Sequence, residues 1–392
     1  MIVLELFLVG MILQVLSGEK HLNNLHWPFN IITGIILVVI LILTHLMFST
    51  KPFIKWLSSV PAAISAITFF AFIVLLLGFI PQQNPHAPNF IKIMGLTSIR
   101  DGWLLTISGI YLLVCLGLVI LRRALPLNRR NIGFLFNHAG LWIVVFAGSL
   151  GSSDLIKLNI HLTEGQEYKN VGTDPNGKAV SLPFSLKLLD FTIDEYPPKI
   201  GIGNINTGEL IEQSGIQLFQ IEENQEYFVS DWKIKVNKIL NSAYPVNESY
   251  ERADSTGAVT AAYVQIQNSS DKKEYEGWIS YGSYAIKPSY ISLDNDHVLF
   301  MSQPEPEKYA SEIILLQDHK TDSLIIEVNK PHHIMGYSLY QLSYDERYGK
   351  WSETSVLEAV KDPWLPVVYI GIFMMLAGSL YLFWKGNEIR KE

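Results

Sequence analysis

The stretch Arg129-Arg130-Asn131-Ile132-Gly133-Phe134-Leu135-Phe136-Asn137-His138-Ala139-Gly140-Leu141-Trp142 runs on as Ile143-Val144-Val145-Phe146-Ala147-Gly148-Ser149-Leu150. It reads as a helix that crosses a membrane: two arginines open it, an apolar run of about 20 residues follows, and a histidine sits inside that run. A titratable residue at such a place is costly and marks a functional site by default. At 1.5 Å per residue, His138 stands about 12 Å along the helix from Arg130. A large polar segment begins where the helix ends.

The rest of the chain agrees with a membrane protein. Of 392 residues, 49% are hydrophobic and only 17% charged. The apolar residues gather into six segments at roughly 2–18, 29–48, 56–80, 103–121, 132–152 and 364–384. The first is the weakest, since it holds Glu5 and Gln14, and it reads as a retained span because no basic region or A-x-A cleavage site accompanies it. The organisation expected is therefore two N-terminal spans over 1–50, three core spans over 51–152, a polar domain over 153–362, and a last span with a short tail over 363–392.

Lysines and arginines in short loops orient these spans. Lys51 and Lys55 follow the second span, Arg122, Arg123, Arg129 and Arg130 follow the fourth, and Lys385, Arg390 and Lys391 follow the sixth. These regions are expected to face the cytoplasm, with both termini inside and residues 153–362 on the periplasmic side of the inner membrane. Within that domain Trp232, Ile234 and Val236 alternate with Lys233 and Lys235, and Phe184, Leu186 and Leu188 alternate with Ser185 and Lys187. Period-two patterns of this kind, with turn signals such as Asp174-Pro175-Asn176-Gly177, predict a β-rich, sandwich-like domain. The fold class is thus α-helical integral membrane protein with one large extracytoplasmic β domain.

Several chemistries are excluded. Cys115 is the only cysteine, so the chain has no internal disulfide, CxxC pair or thiolate metal site, and no CxxCH for covalent haem. A net charge of −7 without a basic patch excludes a nucleic-acid partner. Signatures of the GxSxG, HExxH, Walker A and GxGxxG kinds are missing.

What remains is histidine chemistry. A neutral imidazole at His138 suits an axial position on haem iron, and arginines such as Arg129 and Arg130 can pair with haem carboxylates. The competing readings are a histidine that bonds a neighbouring helix, and arginines placed only by the positive-inside rule. His45, six residues before Lys51, lies at a similar depth and is the second candidate. His21, His26 and His86 fall in short loops, and the neighbours His332 and His333 point to opposite faces of an expected strand.

Six segments, taken in order, resemble the ResB-like family, the membrane component of the system II pathway of cytochrome c biogenesis. They are Trp56 to Ile64 with Gly78-Phe79-Ile80-Pro81-Gln82; Trp103 to Arg123; the His138 span ending Gly148-Ser149-Leu150-Gly151-Ser152; Leu182 to Leu186 with Asp190-Phe191; Gly336 to Tyr344; and Asp362 to Gly371. Together they cover roughly residues 53–385, and the first two spans lie outside the family's four-span core.

The resemblance implies that the chain takes haem b, bound non-covalently, from the cytoplasmic side and presents it for attachment to apocytochrome c. It implies His138 as a haem ligand, since in the family a histidine of the span before the outer domain has that role. The chain's nine tryptophans form no WWD cluster, so a separate CcsA-like haem-handling membrane protein is the expected partner. The attachment chemistry is expected on that partner. A thiol-reducing thioredoxin-like protein is a further expected partner. Two other readings stay open at this point: an extracytoplasmic receptor or scaffold, and a transporter of another small molecule.

Overall fold

A computed structural model describes residues 2–17, 25–128 and 131–389. Arg129, Arg130, His21 and the tail residues Arg390 and Lys391 lie outside the described residues. The chain forms two compact units, Met1–Ile156 with Lys361–Glu392, and Lys157–Val360.

The first unit is helical. Its elements are α1 (Ile2–Ser17), α2 (Phe29–Phe48), α3 (Pro52–Leu57), α4 (Val60–Phe79), α5 (Asn89–Ile93), α6 (Trp103–Ala124), α7 (Ile132–Gly151) and α8 (Leu365–Ile389). Five of them, α2, α4, α6, α7 and α8, are long and apolar enough to cross a membrane. Helix α1, the weakest of the six segments in the sequence, is apolar but only 16 residues long. Large apolar side chains stay exposed along these helices, among them Ile35, Ile64, Leu75, Phe373 and Leu380. In water that surface would be unfavourable at about 25 cal/mol per Å², so a lipid surround is the physical reading.

Helix α6 is the hub. Some 56% of its span is buried, against 22% or less for the other four. Its Tyr111 hydroxyl meets Ser65 Oγ of α4 at 2.8 Å, and the Trp142 indole of α7 donates to the Leu113 carbonyl at 3.0 Å. Helices α7 and α8 form the closest pair. A Cβ at Gly140 would fall 2.5 Å from the Gly371 carbonyl oxygen, and one at Gly371 would fall 2.8 Å from that of Gly140. Asn137 locks the same contact by donating to Ser379 Oγ at 2.7 Å. Among the buried small residues of α7, Gly133, Gly140 and Ala147 recur every seven residues and Gly151 follows one turn later, spacings that keep one face toward a neighbour. Gly148, next to Ala147, has open space at its Cβ position.

The second unit is all β. Its largest sheet has eight strands, in the spatial order Lys320–Glu327, Pro306–Gln317, Ala179–Glu195, Lys169–Thr173, Ile156–Thr163, Thr354–Lys361, Tyr337–Tyr344, His332–Ile334. Leu158, Phe184, Leu186, Ile313, Leu339 and Leu357 from strands across this sheet share a single apolar core. One sheet can do this only by curling over on itself. The curl is closed by a buried polar triad: Ser311 Oγ donates to Gln341 Oε1 at 2.6 Å and meets Ser355 Oγ at 2.7 Å, although Ser311 lies four strands away from Ser355 in the sheet.

A five-stranded sheet built on Trp232–Val246 and Val259–Asn268 faces a four-stranded one built on Lys199–Asn204 and His297–Met301. They enclose a second core that includes Ile200, Ile202, Trp232, Ile234, Val264 and Leu299. The alternation read in the sequence is visible in both cores: Trp232, Ile234 and Val236 are buried, as are Phe184, Leu186 and Leu188. The turn at Asp174 closes with Gly177 at φ +81°, a left-handed conformation that glycine adopts without strain.

Candidate functional site

The His138 ring is fixed by its own helix. Phe134 precedes it by one turn, the spacing at which helical side chains meet. The two rings stack with centroids 3.7 Å apart and planes inclined by 22°. His138 Nδ1 lies 3.0 Å from the Phe134 carbonyl oxygen. A carbonyl can only accept, so Nδ1 carries the proton and the neutral ring leaves its lone pair on Nε2. Among the described residues Nε2 has no hydrogen-bond partner. Histidines that ligate metals are commonly oriented in this way, one nitrogen donating to a carbonyl and the other free.

His138 lines a cavity of about 580 Å³, within the size range of small-molecule and cofactor sites. Pro61, Ile64 and Ile67 of α4 form one wall and Leu112, Leu116 and Val119 of α6 another. Phe134, His138 and Leu141 of α7 complete it, and Cys115 touches the same space. Arg122 and Arg123 line it too, together with Ser58 and Ser59.

Charge gathers where the last turn of α6 meets the cavity. Arg122 Nη1 donates to the Ser58 carbonyl oxygen at 3.2 Å. The Arg123 guanidinium stands 5.2 Å from the centre of the Phe134 ring. Among the described residues neither arginine has a carboxylate partner. Ser59 Oγ is the one buried side-chain polar atom without a hydrogen-bond partner among the described residues. An apolar cleft with one imidazole nitrogen and two cations that meet no carboxylate among the described residues suits a flat, largely apolar ligand that carries carboxylates and a metal ion. Haem has that chemistry, so the residues present fit it.

The sequence-predicted residues divide. His138 is in the cavity. His45, on α2, lines no part of it, and the structure does not bring the two histidines together there. Arg129 and Arg130, the expected carboxylate partners, lie outside the described residues, and the arginines on the cavity are Arg122 and Arg123. Their sequence signal was the same positive-inside cluster. The role of Ser59 had no sequence signal, because a serine opening a helix ordinarily caps it, whereas Ser59 precedes α4 and makes no side-chain cap bond.

Three histidines outside the cavity have local partners. His26 Nδ1 is 3.8 Å from Asp154 Oδ1, His297 Nδ1 is 2.9 Å from Asp294, and His333 Nδ1 is 2.8 Å from Ser338 Oγ. No group of three or more His, Cys, Asp or Glu able to hold a bare metal ion occurs among the described residues.

No curated protein matches the chain. Residues 260–352, from the strand Val259–Asn268 to the end of the β unit's last helical turn, match the model of the ResB-like family. The stretch contains Gly336 to Tyr344, one of the segments that carries the resemblance in the sequence, and this match over part of the chain is consistent with a ResB-like protein.

Proposed function

We propose that this chain is the haem-handling membrane subunit of a system II cytochrome c biogenesis complex. The ResB-like match fits cytochrome c biogenesis, and the passage of haem is the finer reading. One observation carries it: a histidine whose Nδ1 proton is committed to the Phe134 carbonyl opens onto an apolar cavity that also holds two arginines with no carboxylate partner among the described residues. Bound there, haem would supply the iron that His138 Nε2 ligates and the vinyl groups later joined to an apocytochrome. The residues of this chain bind and orient. Phe134 sets the plane of the imidazole, Ile64, Ile67 and Leu116 exclude water, and Arg122 and Arg123 supply positive charge.

The positive-inside rule puts Arg122, Arg123, Lys51 and Lys55 on the cytoplasmic side. The cavity then admits its ligand from that leaflet of the inner membrane, and the β domain faces the periplasm. Thioether formation would take place on a CcsA-like partner, with apocytochrome c as acceptor and a thioredoxin-like protein keeping its thiols reduced.

The test is a spectrum. The full chain, purified from cells that also express its partner, should carry a haem with a low-spin Soret band. His138→Ala should shift or abolish that band and reduce cytochrome c maturation. An unchanged band in the variant would sink the assignment of His138.

A further inference from the structure

The positive-inside rule explains why arginines end α6, yet not where they lie. Both line the His138 cavity, and among the described residues neither has a carboxylate to neutralise it. Arg122 is held in place by the Ser58 carbonyl. Arg123 rests beside the Phe134 ring, the same ring that fixes His138. Ser59 adds a donor on the same cavity, a buried hydroxyl without a hydrogen-bond partner among the described residues. A buried polar atom left in this state is unfavourable unless a ligand meets it. Ser59 also directly precedes α4, whose first-turn N–H groups carry positive partial charge. The rest of the lining includes hydrocarbon from Ile64, Leu112 and Val119.

We propose that Arg122, Arg123 and Ser59 form the carboxylate-recognising end of this cavity, so that it selects a tetrapyrrole by its propionates as well as by its iron. This rests on the haem reading above, but it makes a separate demand on the ligand. Guanidinium and carboxylate match in a bidentate manner, and a hydroxyl supplies one further donor. An esterified or neutral flat molecule of the same size fills the apolar part and leaves the cations unpaired. Recognition at this end needs no metal.

The experiment uses the full chain in detergent, titrated with four probes: haem, haem dimethyl ester, metal-free protoporphyrin and its dimethyl ester. The wild-type protein should bind each free acid roughly tenfold more tightly than its ester, as hydrogen bonds to charged groups predict. Arg122→Gln with Arg123→Gln should bring acid and ester to the same affinity, and the paired Lys substitutions should restore part of the preference. Ser59→Ala removes a hydroxyl that bonds to none of the described residues, so it should weaken only the acids, by a few-fold.

His138→Ala should lose the advantage of haem over metal-free protoporphyrin while keeping that of acid over ester. Equal binding of acid and ester by the wild type overturns the proposal, and so does a preference that survives the double Gln variant. Displacement of either form by anionic lipid vesicles, with no acid preference, would assign the arginines to a lipid phosphate and also overturn it. An iron advantage that His138→Ala leaves intact overturns the ligand reading alone, because the metal-free pair still reports on the arginines.

Discussion

The His138 imidazole lies against the Phe134 ring at a centroid distance of 3.7 Å, and its Nδ1 meets the carbonyl oxygen of that same residue at 3.0 Å. One residue therefore fixes both the plane and the tautomer of the imidazole. The backbone sets the tautomer and the side chain sets the plane, so substitution can separate them.

Phe134→Leu keeps the carbonyl and removes the ring. Haem affinity should fall by about threefold to tenfold, the worth of an aromatic pair, while the Soret position stays that of the wild type. A titration followed through the whole Soret band checks both halves. A shifted band would mean that the ring, and not the carbonyl, determines which nitrogen is free.

Much of this arrangement was legible in the sequence, and for physical reasons. The span, its histidine and its basic neighbours follow from hydropathy and charge, which act locally along the chain. Strands such as Trp232–Val246 followed from alternation. The curl of the eight-stranded sheet did not, because Ser311 and Ser355 are 44 residues apart and bond only once the sheet has closed. The cavity was equally hidden. Its walls come from α4, α6 and α7, and nothing in Ser58 announces that Arg122 will reach it from 64 residues away. The helix seam was not marked in the sequence either: Ala147 is buried while its neighbour Gly148 faces open space, because seven residues return a helix to its seam.

That seam yields a paired prediction. Gly140→Val would force carbon against the Gly371 carbonyl and the Met375 backbone. Overpacking of this kind typically costs about 1–3 kcal/mol, and neither backbone can give way as a flexible side chain would. Gly148→Ala meets open space and should be neutral or stabilise by roughly 0.5–1 kcal/mol through helix propensity. Thermal unfolding of both variants in the same detergent, followed by circular dichroism, checks the contrast. Equal effects would mean that α7 and α8 do not approach at Gly140.

In the β unit, burial raises the Glu195 carboxyl above its usual range, and Lys350, 3.7 Å away, only partly offsets this. A carboxyl raised in the fold favours its protonated form there. Its contribution is therefore full below the ordinary value near 4.5 and is lost as pH rises through the raised one. Glu195→Gln should flatten the stability profile of the β unit across that window. Lys350→Met should do the reverse at neutral pH, destabilising by about 1–3 kcal/mol because a half-buried carboxylate loses its partner. Urea unfolding of the full chain between pH 4 and 8, read from the β signal, checks the sign. A wild-type profile that rises with pH through this window would contradict it.

Asp154 closes the helical unit at the other end of α7. Its Oδ2 accepts from the Asn30 amide at 2.7 Å and from the Trp364 indole at 2.8 Å, and its Oδ1 accepts from the Trp27 backbone at 2.9 Å. A single carboxylate thus joins the approach to α2, the end of α7 and the approach to α8. Asp154→Ala strands three donors at once and should destabilise by about 1–3 kcal/mol, moderated by water at the more open Trp27 amide. Asp154→Asn keeps one acceptor oxygen but turns an NH₂ group toward a donor, so it should fall between alanine and wild type. Asn30→Ala in the Asp154→Ala background should add less than it does alone, since the two side chains share a bond. Thermal unfolding of the four proteins completes the cycle, and strict additivity would show that the bond between Asn30 and Asp154 carries no energy.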